Sequence, residues 1–137
     1  MRTQLCASRT LTATLLLTAA VACGDGPTSP SVEAVTGTYT ATQLTTTEGG
    51  TSTNQLAAGA SITLTLNANG TTSGRFIVPG ELDADLTGTW TLSGTTVSLS
   101  HSADTFLTDT DFQVQGNRLV GDETFGSTRV QVTLTKQ

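Results

Sequence analysis

Few residues in this 137-residue chain could do chemistry. There is one histidine, His101, and there are two cysteines, Cys6 and Cys23. A Ser-His-Asp triad or a zinc site needs several partners in fixed geometry. His101 has no second histidine to work with, and it reads as a surface residue at a strand end. Hydroxyls are plentiful, with 31 threonines. No G-x-S-x-G elbow or phosphate loop surrounds one, so nothing obvious activates it. Carboxylates form the one cluster worth weighing. Glu81, Asp83 and Asp85 fall in one link, and Asp104, Asp109 and Asp111 lie in or beside another. Asp122 and Glu123 approach a third, and Glu48 lies in a fourth. Such a rim could hold calcium, steer a cationic ligand or offer a glycosidase pair. No segment has EF-hand spacing, and solvation of loops is the simpler account. The expectation is therefore no catalytic residue, no metal ligand and no cofactor. A net charge of −5 also excludes a nucleic-acid partner, because nothing would neutralise phosphates.

The N-terminus carries the clearest chemistry. Arg2 and Arg9 precede an apolar run from Leu11 to Ala22. Its 12 residues are too short to span a bilayer, which takes roughly 20. The pattern is that of a cleaved secretory signal peptide over residues 1–22. It ends at Ala19-Ala20-Val21-Ala22-Cys23. That ending resembles the lipobox of bacterial lipoproteins, with Ala20 where the family prefers Leu. The resemblance implies diacylglyceryl transfer to Cys23, cleavage after Ala22, and acylation of the new amine with a palmitate-type chain. An ordinary secretory signal is the alternative. Cys6 leaves with the signal, so Cys23 is the one thiol of the mature chain and makes no internal disulfide. Two or three acyl chains anchor a protein stably to a membrane. Gly24 follows the cysteine where Asp, in the family, marks inner-membrane retention. The implied location is the cell envelope, at the outer membrane.

What the lipid would carry is a tether and one domain. Residues 23–34 are rich in Gly, Pro and Ser, as flexible tethers are. Residues 35–137 are enough for one core. Removing Arg2 and Arg9 leaves four basic against 11 acidic residues, a net −7. Threonine is β-branched, so it favours strands while staying polar on an exposed face. The periodicity predicts eight strands: Val35–Leu44, Ser61–Asn67, Thr71–Val78, Leu86–Leu92, Thr96–His101, Thr110–Gln115, Arg118–Thr124 and Thr128–Lys136. Ile62, Leu64 and Leu66 alternate with Ser61, Thr63 and Thr65. Val130, Val132 and Leu134 alternate with Gln131, Thr133 and Thr135. Each strand thus has one apolar and one wet face, as in an antiparallel sheet.

The turns order these strands. Asn69-Gly70, Ser93-Gly94 and Gly116-Asn117 are tight links between consecutive strands. The links at 45–60, 79–85 and 102–109 read as longer loops, with a shorter one near Phe125–Ser127. In an up-and-down meander alternate links share an end. The tight turns and both chain ends would therefore close one end, and the loops would form a mouth. Gly37-Thr38-Tyr39 on the first strand, a long first loop and an eight-strand meander resemble the lipocalin-like barrels. Gly88-Thr89-Trp90-Thr91-Leu92 is a second Gly-x-aromatic run. Tyr39 stands where lipocalins usually have Trp. The arginine that such a Trp stacks on has no match here, since Arg129 begins its strand at the mouth and only Lys136 lies near the closed end. An immunoglobulin-like sandwich is the alternative fold.

The expected structure is thus all-β, a small eight-stranded antiparallel up-and-down barrel of lipocalin-like type behind a cleaved signal peptide. Tyr39 and Trp90 would plug the closed end. Phe76, Phe106, Phe112 and Phe125 would line an apolar pocket at the mouth, or simply fill the core. The resemblance implies a non-enzymatic binder of a small apolar or amphipathic molecule, held to the membrane by its lipid. The rival is a structural or interaction module with a packed interior.

Overall fold

Threonine and aliphatic residues alternate along most of the chain, and the backbone follows with antiparallel strands. The computed structural model describes residues 29–137; the signal peptide, Cys23 and the first part of the tether lie outside them. The elements are α1 (Val32–Val35), β1 (Gly37–Glu48), β2 (Thr51–Asn54), β3 (Ser61–Leu66), β4 (Thr71–Val78), β5 (Leu82–Asp85), β6 (Gly88–Ser93) and β7 (Thr96–His101). A 3-10 turn (Phe106–Asp109), β8 (Phe112–Gln115), β9 (Arg118–Phe125) and β10 (Thr128–Lys136) follow. Among these residues no helix is long and apolar enough to cross a membrane.

Eight strands close a ring in sequence order: β1, β3, β4, β6, β7, β8, β9, β10 and back to β1. The closing ladder runs from Tyr39 opposite Lys136 to Glu48 opposite Thr128. Closure removes the exposed edges that an open sheet would present. The sandwich alternative falls with it, since one continuous ring cannot be two packed sheets. The tight turns at 67–70, 93–95 and 115–117 share one end with the start of β1 and the end of β10. At the first of these turns Gly70 takes φ 88°, a left-handed conformation that a side chain would resist.

Two strands stand outside the ring, both at the mouth, in links expected to be loops. β2 pairs the distal half of β1, from Thr45 to Glu48. β5 pairs the distal half of β4 and keeps the register of β6, which pairs the proximal half. The 79–85 link is therefore a tight hairpin at Pro79–Glu81, closed by Glu81 N–H donating to the Val78 carbonyl at 2.9 Å. Its alternation was hidden because Asp83 and Asp85 face solvent while Leu82 and Ala84 face inward.

The closed end is sealed differently from the sequence expectation. Val35 belongs to α1 and not to the first strand. The Ser31 hydroxyl accepts from the Ala34 N–H at 3.2 Å and caps this single turn. Val35 is buried beneath it, and its carbonyl accepts from Tyr39 Oη at 2.6 Å. Lys136 Nζ donates to the Ala34 carbonyl at 3.0 Å. On the other side of the end, Trp90 Nε1 donates to the Asn67 carbonyl at 2.8 Å. Tyr39 and Trp90 thus each fasten a chain reversal. Above them Ile62, Leu64, Leu66, Leu86, Val97, Leu119, Val132 and Leu134 fill the lumen, each at most 1% exposed. Burying a residue of this type contributes about 1.5–3 kcal/mol relative to exposure.

Candidate ligand-binding site

The interior is not filled to the top. A cavity of about 180 Å³ opens at the mouth, lined by Leu44, Thr46, Gln55, Phe76, Val78, Glu81, Phe106 and Val130. A larger concavity of about 440 Å³ follows residues 77–83 along one hairpin. It gathers nothing from other elements, whereas the smaller one draws its wall from several.

A backbone irregularity places two of its walls. Along β1 the register against β10 shifts between Ala41 and Gln43, leaving Thr42 as an extra residue. Its hydroxyl is 2.8 Å from that of Thr135 on the barrel exterior. A bulge of this kind exchanges the faces of everything beyond it. Tyr39 and Ala41 face inward before it, and Leu44 and Thr46 after it. Unbroken alternation would have put Leu44 and Thr46 outside. Gln55 then folds back over the rim, its backbone N–H on the Leu44 carbonyl at 2.8 Å and its Nε2 on Thr46 Oγ1 at 2.7 Å.

The aromatics divide. Phe76, on β4, meets Phe106 edge-to-face with ring centroids 5.5 Å apart. Phe106 in turn lies 6.4 Å from Phe125, on β9. These three form a chain across the mouth, and Phe76 and Phe106 touch the cavity. Phe112 does not join them. Its partner across the ladder is Val97, low on β7, and it is fully buried in the core. Placing it at the mouth failed because β8 is only four residues long and begins deep in the barrel.

The loop carrying Phe106 is anchored at two points. His101 continues the inward-facing row of Val97 and Leu99 on β7. Its Nε2 lies 2.9 Å from Thr105 Oγ1 and 3.1 Å from Thr108 Oγ1. It is therefore half-buried and not the surface residue expected, and burial pushes its pKa below the ordinary 6.5. At the other point Thr110 donates its hydroxyl to the Phe106 carbonyl at 2.8 Å. Its methyl group sits over Gly121, where a Cβ would lie 2.6 Å from it. Gly121 thus provides the hollow into which the loop docks.

The acids also divide. Asp83 pairs with Arg75, and Asp122 with Arg129, on the outer wall. Hydrogen bonds from Thr87 and the nearby Arg75 charge hold the Asp85 carboxyl below its ordinary value. Asp111 accepts from Ser98 Oγ at 2.9 Å. The single acidic rim expected from the links is thus divided, with these four acids on the exterior and Asp104 and Asp109 in the 102–109 loop. Glu81, Glu48 and Glu123 differ. Glu81 lines the cavity, and the ladder partners of Glu48 and Glu123 are the inward-facing Thr128 and Val130. Among the described residues no three His, Cys, Asp or Glu side chains form a metal-holding group.

Comparison of the chain with family models, with curated proteins and with solved structures finds no match in any of the three.

Proposed function

We propose that this is a lipid-anchored, non-enzymatic protein of the cell envelope whose barrel mouth binds a small apolar or amphipathic molecule. The observation that carries the binding reading is the cavity itself. The barrel is packed from the closed end upward, and a space is left where Leu44, Phe76, Val78, Phe106 and Val130 converge. A concave apolar wall with a few polar groups is how small-molecule sites are built. The non-catalytic reading is supported by His101, whose one engaged ring nitrogen serves two threonine hydroxyls that hold a loop. The anchor rests on the Ala19–Cys23 sequence.

Titration with 1-octanol, followed by NMR shifts of the cavity side chains, tests the binding. Shifts centred on Val78, Val130 and Phe106 are expected, and Val78→Trp should abolish them by filling the space. Trp90 fluorescence is the wrong reporter, because Trp90 sits at the opposite end. Membrane fractionation tests the anchor: Cys23→Ala should move the protein to the soluble fraction. Firm attachment of that variant would overturn the lipid.

A second reading has its own support. The cavity is smaller than the roughly 300–1,000 Å³ of typical ligand pockets. A packed module for structure or protein interaction would look the same elsewhere. No shift with any small probe would favour it.

A further inference from the structure

We infer that the mouth cavity selects an amphiphile with a cationic head, such as a primary alkylammonium, over neutral or anionic ones. This rests on the ligand-binding reading above and names the ligand's charge and size. The apolar wall sets the tail. A volume of about 180 Å³ holds roughly six groups of about 30 Å³ each, so the fitting tail is a short alkyl chain.

The rim sets the head. Glu81 is the one charged side chain in the cavity wall, beside the neutral Thr46 and Gln55. Two further carboxylates occupy inner-face positions at the same end. Glu123 lies opposite Val130, and Glu48 opposite Thr128, whose hydroxyl donates to it at 3.3 Å. None of the three is in an ion pair among the described residues. No cation competes for them there. Of the four basic residues from 29 onward, Arg75 and Arg129 are held on the outer wall by Asp83 and Asp122. Arg118 adjoins the tight turn at 115–117, and Lys136 is fastened to Ala34, both at the closed end. The charged groups that an ammonium head meets at the cavity wall and its rim positions are therefore carboxylates. A carboxylate head meets like charge and no Lys or Arg to compensate it among the described residues.

The test compares octylammonium, 1-octanol and octanoate, all below their micelle concentrations, by NMR titration of the purified full-length chain at low salt and at physiological salt. Octylammonium should bind about threefold or more tighter than octanol, and octanoate weakest, within the range typical of an exposed ion pair. The preference should shrink at the higher salt, as screening requires. It should also shrink in Glu81→Gln, read as the ratio of octylammonium to octanol affinity within that variant. Equal binding of the three probes, or octanoate tightest, overturns the charge selection and leaves the apolar pocket standing. Absence of mouth shifts with all three overturns both. A preference that survives Glu81→Gln and Glu123→Gln together also overturns the inference, because the head group then lies elsewhere.

Discussion

Replacing Gly121 by alanine should loosen the mouth loop from a distance. A Cβ at this position would lie 2.6 Å from Thr110 Cγ2, 3.0 Å from Val132 Cγ1 and 3.2 Å from Phe112 Cε1. None of these atoms is the free end of a flexible chain. Thr110 is held by its own bond to the Phe106 carbonyl, and Val132 and Phe112 are buried in the core. Overpacking of this kind costs about 1–3 kcal/mol. Against it, alanine restricts the unfolded chain and returns about 0.4–1 kcal/mol. The net expectation is a destabilisation centred on ~1.3 kcal/mol, or roughly 5–10 °C in Tm for a domain of this size. Urea melts of the wild type, Gly121→Ala, Thr110→Ser and the double variant form the assay. Thr110→Ser keeps the hydroxyl and removes the methyl, so the double variant should recover part of the loss as a coupling energy. Hydrogen exchange in residues 102–111 should rise in Gly121→Ala and fall back in the double variant. A Gly121→Ala protein as stable as the wild type, or one with no coupling to Thr110, would refute the docking argument.

The remaining predictions concern titration and metal. Burial raises the pKa of Tyr39, the only tyrosine, above its ordinary 10.0. The unfolded chain then loses this proton first, so the contribution is full below pH 10 and is lost as pH rises through the folded-state value. Tyr39→Phe should flatten that alkaline loss in urea melts, and should cost about 1 kcal/mol at pH 7 by removing the bond to Val35. His101 runs the other way. Its folded pKa is lowered, so its contribution is present above pH 6.5 and is lost as pH falls through the folded-state value. The protection of the 102–111 loop against hydrogen exchange, taken relative to the intrinsic rate at each pH, should fall on acidification, and this fall should vanish in His101→Gln. A chelator should leave Tm unchanged, since Asp83, Asp122, Asp111 and Asp85 are engaged by Arg75, Arg129, Ser98 and Thr87 and no three acids gather among the described residues; a drop would show a bound cation.

The barrel was legible because alternation and turn chemistry agreed over most of its length. Ile62, Leu64 and Leu66 could face only one way, and Asn69-Gly70 could make only a tight reversal. The site was legible in part. Phe76 and Phe106 were found because aromatics near mouth links are few. Leu44 and Thr46 were missed because the register shift at Thr42 has no local signature; a run of threonines reads the same with or without an extra residue. Phe112 was misplaced for a related reason, since its height depends on how far β8 reaches and not on its own surroundings. The role of His101 depends on a loop folding back onto it, which single-strand periodicity does not contain. The α1 turn had a readable signal in Ser31 followed by Glu33, but a four-residue helix is too short for any apolar period to show.

Ring closure separates this chain's contacts into two kinds. Every seam of the ring but one joins ring strands that are successive along the chain, most of them through short turns. The β1–β10 seam alone brings Tyr39 against Lys136, across nearly the whole domain. Long loops are costly to close, and distant pairing is slow. The last and rate-limiting event in folding is therefore expected to be the zipping of this seam. Until it forms, β1 and β10 are two unpaired edges of nine and more residues on the same chain. A second unfinished copy could pair with either. Concentration during refolding, not stability of the finished barrel, would then govern how much of the protein reaches its native state.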